Sequence, residues 1–189
     1  PVSAKNIFPS NIQGLPTWYE VRVCEKGYLG RKEGIDLMVS VNPQSFKRDI
    51  ASVKTGGYFL YDNTKPLHEE FLRDDIHFIG VPLMDICNRE FTDPRQKQLF
   101  KNIVYVGAIA RLLNIDTSII EGLFAEQFQG KEKLIAPNVK ALHLGSDYVR
   151  DNFRYPLEFS VEARDLVGDS IMIDGNSAAG LGAVYGGAS

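Results

Sequence analysis

Nucleophilic, metal and nucleotide chemistry each require particular residues at particular spacings, and this sequence offers partial versions of all three. Gly175-Asn-Ser177-Ala-Ala-Gly180 follows a short apolar run and precedes a helical one, as a nucleophile elbow does. The elbow needs glycine two places after the serine, where Ala179 stands. Ser177 therefore reads as a helix-start residue, and no catalytic residue is assigned. His68, His77 and His143 are far apart and form no H-x-x-x-H or H-E-x-x-H pair, so no metal site is assigned. Cys24 and Cys87 have no C-x-x-C companion and read as buried, inert thiols. Gly180, Gly182 and Gly186 are spaced one residue too widely for a dinucleotide fingerprint.

Charged side chains give little more. Arg31-Lys32 and Lys47-Arg48 are isolated basic pairs, and Glu69-Glu70 and Asp74-Asp75 read as solvent-facing carboxylates. The stretch from Phe8 to Tyr19 is different in kind. It is polar, is punctuated by Gly14, Pro9 and Pro16, and holds the single tryptophan of the 189 residues, Trp18. Ser10, Asn11 and Gln13 supply donors and acceptors, and Gly14 permits close backbone approach. A loop running into a strand is where a rigid scaffold presents binding groups. An ordinary loop satisfied by its own backbone is the competing reading.

The elements that must position these groups alternate between strand and helix. Tyr19–Val23 and Ile35–Val41 show the period of two expected of strands. Asn42-Pro43 ends the second, and Phe46, Ile50 and Val53 follow at helical spacing. Gly56-Gly57 is expected to break that helix, with strands at Tyr58–Tyr61 and Ile76–Val81 and a short helix from Leu67 to Arg73 between them. Asp93 and Pro94 open a helix with Leu99, Ile103, Val106, Ala110 and Leu113 as its stripe, ending at Asn114. Asp116 opens another, bearing Ile120, Leu123, Phe124 and Phe128, and a last helix spans Pro137 to Phe153. The order predicts an α/β fold with a mostly parallel sheet flanked by helices. Residues 154–168 read as a linker, Ser170–Asp174 as a strand, and Ser177–Ala188 as a small-residue helix opening a new domain.

Composition narrows the function classes. Twenty-one basic against 24 acidic side chains leave a net charge of −3, which argues against a protein built to grip nucleic acid. No apolar run approaches the roughly 20 residues of a membrane span. Two cysteines fit a reduced, cytoplasmic setting rather than a disulfide framework.

Several runs resemble the 2-oxoacid:ferredoxin oxidoreductases. Pro9-Ser-Asn-Ile-Gln-Gly-Leu-Pro-Thr-Trp-Tyr-Glu-Val-Arg-Val23 is similar to the Pro-Ser-x-Ile-Arg/Gln-Gly loop and Tyr-x-Val-Arg-Val strand of that family's gamma domain. Asp36 to Pro43 resembles its strand end, and Lys131 to Tyr148 its C-terminal helix. Ile173-Asp-Gly-Asn-Ser-Ala-Ala-Gly-Leu-Gly-Ala183 resembles the opening of the alpha, thiamine-binding subunit. The resemblance implies a Rossmann-like gamma domain over 1–153 lacking its first strand-turn-helix, a linker over 154–168, and the start of an alpha domain over 169–189. It implies a gamma–alpha fusion of the 2-oxoglutarate type, with coenzyme A as co-substrate. Thiamine diphosphate, Mg²⁺ and an Fe–S cluster would sit mainly in partner or other subunits, so this piece would not be active alone. Implied partners are a beta subunit, a second copy of the alpha subunit, and ferredoxin. By carry-over, Ser10, Asn11, Gln13 and Gly14 would lie at the coenzyme A site, with Gly175 and Asn176 at the domain-start turn. The family's glycine-rich opening turn and its Pro-Ile-Thr-Pro motif are not found. A non-catalytic α/β ligand-binding or assembly module is the alternative.

Overall fold

A computed structural model describes residues 2–7, 16–28, 30, 32–164, 168–171 and 173–188. Its centre is a parallel sheet of three strands, β3 (Ile35–Ser40), β4 (Val53–Asp62) and β5 (His77–Val81), in that spatial order. Pairing β4 between two parallel neighbours buries both of its faces, so Tyr58-Phe59-Leu60 reads as an unbroken apolar run. Two further strands, β1 (Val2–Ile7) and β2 (Trp18–Val23), form a separate antiparallel ribbon in which Ile7 opposes Trp18.

Each sheet face has its own core. On one side α1 (Phe46–Ser52) places Phe46 and Ile50 over Phe59, with Val53 and Ile76 completing the cluster. On the other, Tyr58, Leu60, Ile79 and Val81 meet α2 (Leu83–Glu90), α3 (Pro94–Leu112) and α5 (Ile135–Asn152). The remaining helices are α4 (Thr117–Gln127), beside α5, and α6 (Gly175–Tyr185), every residue of which is solvent-exposed. The α/β architecture with helices on a parallel sheet is the expected one.

Local chemistry explains the boundaries. Asp93 accepts the Gln96 N–H at 2.8 Å and Pro94 fills the first turn, which starts α3 where expected. Asn114 takes φ 58° just past its end, a conformation that asparagine tolerates. Of the stripe expected on α3, Ala110 is buried and Ile103 packs against the core, but Leu99 is 65% exposed; Phe100, Val104, Ala108 and Leu112 form the main buried column. Neighbouring apolar columns on one helix differ only in which the partner helix covers.

Four sequence expectations need correction. Leu67–Arg73 contains only one 3-10 turn, Glu69–Phe71, because its backbone serves the β4–β5 crossover. Gly56-Gly57 lies inside β4, which starts at Val53, with Gly56 at φ 75°. Residues 170, 171, 173 and 174 are not strand, since no neighbouring strand offers them a ladder. The last helix begins at Gly175, because Asp174 rather than Ser177 caps it, accepting the Asn176 and Ser177 N–H groups at 3.0 Å. Two elements were not anticipated: β1, and α2, whose Leu83, Ile86 and Cys87 are buried. Part of the expected linker is bound to the domain, since the Leu157 and Val161 N–H groups donate to Leu112 and Leu113 carbonyls.

The carboxylates read as solvent-facing are exposed, and one is structural. Arg73 holds Asp75 through two hydrogen bonds of 2.9 and 2.7 Å while donating to the Ile50 and Val53 carbonyls at the end of α1. The Arg73 guanidinium first, then the Thr55 hydroxyl, lowers the Asp75 carboxyl to about 2. In the unfolded chain it would titrate near ~4. Its stabilisation is therefore complete above that value and lost as pH falls toward 2. We expect Asp75→Asn to flatten the acid limb of a urea-midpoint-against-pH curve in that window. Identical limbs for variant and parent would show the pair to be inert.

Candidate functional site

In open α/β sheets, ligands sit at the carboxyl ends of the strands. Here the carboxyl end of β3 opens on a cavity of about 330 Å³. One wall is Pro16, Thr17 and Trp18; the other runs from Val39 to Asn42 and includes Ser45 and Asp49.

A buried carboxylate organises this end of the sheet. Asp49 is only 2% exposed, yet lies on the same side of α1 as Phe46 and Ile50. A charge in that position needs donors. Trp18 Nε1 donates to its Oδ1 at 2.7 Å, and the Ser40 hydroxyl donates to Oδ2 at 2.5 Å. Ser45 Oγ lies 2.6 Å from Oδ2 and 3.0 Å from the Asn42 carbonyl, so its one proton has two acceptors in reach. Sequence explains the geometry: Ser45 and Asp49 are four residues apart, one helical turn, and Ser40 ends β3 facing the same helix. The Arg48 guanidinium covers the Trp18 ring at 4.1 Å from its centre.

The arrangement is a buried carboxylate held by indole and hydroxyl donors. Ser40 and Ser45 have a carboxylate but no imidazole to relay a proton. His77 stacks on Tyr58, His143 pairs with Glu121 at 2.9 Å, and His68 meets the edge of Phe71. Among the described residues no three His, Cys, Asp or Glu side chains converge where a metal ion could sit. No helix of the described residues is long and apolar enough to cross a membrane.

The sequence candidates fare unevenly. Ser10, Asn11, Gln13 and Gly14 lie outside the described residues. Gly175 and Asn176 form the exposed first turn of α6. Lys47 and Arg48 are both exposed, as a solvated pair would be, and Arg48 also lies over the Trp18 ring. Asp49, Ser40 and Ser45 were missed, although an aspartate one turn from a serine and flanked by Phe46 and Ile50 was a usable signal. Cys87 is buried, and desolvation, helped by Asp62, raises its thiol to about 11. Cys24 is not buried as expected. Its thiol is lowered, first by the Tyr28 backbone N–H and also by Lys26 and Arg22, because it sits in an open turn after β2.

A second cavity, of about 300 Å³, lies between α3 and the start of α4. Arg111 lines it, donating to Ser146 Oγ at 3.0 Å and lying 5.3 Å from the centre of the Tyr155 ring.

Residues 1–148 match the protein family described as Pyruvate ferredoxin/flavodoxin oxidoreductase. A curated relative, 2-oxoacid:ferredoxin oxidoreductase 2, subunit alpha, of Aeropyrum pernix, is 22% identical over 95% of this chain and 34% of its own length. Among solved structures, 2-oxoglutarate:ferredoxin oxidoreductase from Magnetococcus marinus, with 2-oxoglutarate, coenzyme A and succinyl-CoA bound, superposes with a TM-score of 0.81 at 23% identity. It covers 98% of this chain and 32% of that one. The gamma subunit of a keto/oxoacid ferredoxin oxidoreductase from Geobacter sulfurreducens gives 0.59 at 15% identity, over 79% of this chain and 80% of that one. The chain thus spans about a third of the length of the alpha-subunit relative.

Proposed function

Because the chain belongs to the pyruvate ferredoxin/flavodoxin oxidoreductase family, we propose that it forms part of a 2-oxoacid:ferredoxin oxidoreductase. That enzyme would convert a 2-oxoacid and coenzyme A to acyl-CoA and carbon dioxide while reducing ferredoxin. The family match over residues 1–148 carries the reading. A gamma domain joined to the start of an alpha subunit is supported by similarity both to a separate gamma subunit and to an alpha subunit. The preference for 2-oxoglutarate rests on the ligands of the Magnetococcus enzyme.

The chain's own part in this reading is binding and assembly. Among the described residues no three His, Cys, Asp or Glu side chains converge as cluster ligands would, and thiamine diphosphate, Mg²⁺ and an Fe–S cluster are placed mainly outside this chain. They are assigned to the beta or other subunits, and ferredoxin and a second alpha copy are the further partners. Ser10, Asn11, Gln13 and Gly14 are assigned to coenzyme A, and Gly175 and Asn176 to the domain-start turn beside the cofactor. The polar cavity at the carboxyl end of β3 is lined by Pro16 and Thr17, which follow the Ser10–Gly14 segment in sequence after one residue, Leu15.

The test uses the full-length protein assembled with its thiamine-binding subunit. The complex is expected to reduce a viologen dye only when coenzyme A and a 2-oxoacid are both present. Gln13→Ala should raise KM for coenzyme A by about tenfold, the worth of one hydrogen bond to a charged or strongly polar group, and leave KM for the oxoacid unchanged. Dye reduction that ignores coenzyme A would overturn the acyl-CoA assignment. An unchanged coenzyme A KM in Gln13→Ala would remove Gln13 from the site.

A further inference from the structure

The β1–β2 ribbon is not held to the sheet by a hydrophobic face. Its apolar side chains point outward: Val2, Tyr19, Val21 and Val23 are 49%, 65%, 51% and 52% exposed. Both strands make their extensive contacts only with each other. At the far end of the ribbon the tie is an exposed ion pair, Glu25 with Arg164 at 2.8 Å, which contributes little in water. At the near end the tie is of another kind. Trp18 donates into a carboxylate that is 2% exposed and already fixed by two serine hydroxyls, and Arg48 closes over the ring.

We propose that Asp49 and Trp18 form a clamp that positions the β1–β2 ribbon against the carboxyl end of the sheet, and through it sets coenzyme A affinity. Asp49 is a positioning residue here: it acts through Trp18. The carboxylate is suited to this because α1 is itself packed on the core, so Oδ1 is presented from a rigid element. Ser40 and Ser45 occupy Oδ2, which leaves Oδ1 for Trp18. The segment that joins the two strands contains Ser10, Asn11, Gln13 and Gly14. A clamp at Trp18 therefore fixes one end of that segment. The link to coenzyme A rests on the function proposed above; the clamp itself does not.

The experiment measures both quantities on the assembled full-length enzyme. Hydrogen exchange of peptides covering Val2–Ile7 and Trp18–Val23 reads the clamp, and KM for coenzyme A against KM for the oxoacid reads its consequence. Three variants are compared. Trp18→Phe removes the donor but keeps a ring under Arg48, Asp49→Leu removes the acceptor, and Asp49→Asn keeps an acceptor for Trp18. Trp18→Phe and Asp49→Leu are expected to speed ribbon exchange and raise KM for coenzyme A, each by about tenfold, as loss of a charge-assisted hydrogen bond implies. Asp49→Asn, which keeps an acceptor without the charge, should move both readings in the same direction but by no more than about threefold, and peptides from α3 and α5 should be unchanged in Trp18→Phe. Ribbon exchange at the parental rate in both disruptive variants would overturn the clamp. Faster ribbon exchange with an unmoved coenzyme A KM would overturn the link to coenzyme A and leave the ribbon as scaffold only.

Discussion

Gly145→Ala is expected to destroy the seat of α3 on α5. A Cβ at this position would lie 1.8 Å from the Val104 carbonyl oxygen and 2.9 Å from the Ala108 nitrogen. The reciprocal position behaves alike, since a Cβ on Gly107 would lie 1.9 Å from the Leu142 oxygen. Both obstacles are backbone, so no side chain can rotate away. The helices must separate, and the separation would open the fully buried contacts of Val104, Ala108, Ala141 and Val149. Overpacking a well-filled interior costs about 1–3 kcal/mol, and opposed backbones place this case at or above the upper end. For a chain of this size the melting temperature should fall by about 6–12 °C, at about 2–4 °C per kcal/mol. Gly122→Ala is the control. It lies in α4 with nothing within 4 Å of its would-be Cβ, and alanine there should be neutral or stabilising by up to about 1 kcal/mol. Thermal unfolding followed by circular dichroism separates the two, and equal melting temperatures for Gly145→Ala and the parent would refute the close packing.

Much of the sheet and of the long helices was legible because local signals and tertiary packing agree there. Asp93-Pro94 and Asp116 cap their helices through their own side chains. The apolar run around Phe59 is continuous because both faces of β4 are covered. Legibility failed where one residue type serves two contexts. Leu99 repeats at helical spacing but faces solvent, because α5 approaches along the Gly107 side of α3 and selects the neighbouring column. The run 170–174 has strand composition, but its described residues 170, 171, 173 and 174 are not strand, and composition cannot supply a partner.

The polar site was harder for the same reason. Trp18, Ser40, Ser45 and Asp49 come from three elements, and the bond that joins them spans 31 residues between Trp18 and Asp49. Only the Ser45–Asp49 half has a local signature. The residues Ser10 to Gly14 drew attention through composition, whereas the buried carboxylate of the described site lies on α1.

That buried charge depends on the apolar core beneath it, which makes Phe59→Ala the most informative core substitution. Phe59 is 0% exposed at the centre of β4, with its ring 5.6 Å from Phe46, 5.8 Å from Phe78 and 5.9 Å from Tyr61. Truncation removes two edge-to-face contacts and one stacked contact and leaves a cavity that the three rings cannot refill without shifting. The expected cost is about 3–5 kcal/mol, read as a lowered urea midpoint with an unchanged slope. Phe59→Leu, which keeps most of the volume, should cost less than half as much. The consequence reaches the site because Phe46, Asp49 and Ile50 share α1. With Phe59 gone, Phe46 loses its floor, α1 gains freedom, and Oδ1 of Asp49 is no longer held at 2.7 Å from Trp18. Under conditions where the Phe59→Ala variant remains folded, ribbon exchange at Trp18–Val23 should therefore rise although Phe59 belongs to the sheet core and not to the ribbon. Parental exchange there, with the stability loss still present, would mean that the remaining contacts of α1, among them Ile50, Arg73 and Phe46 against Phe71, hold it in place and that the core and the clamp are independent.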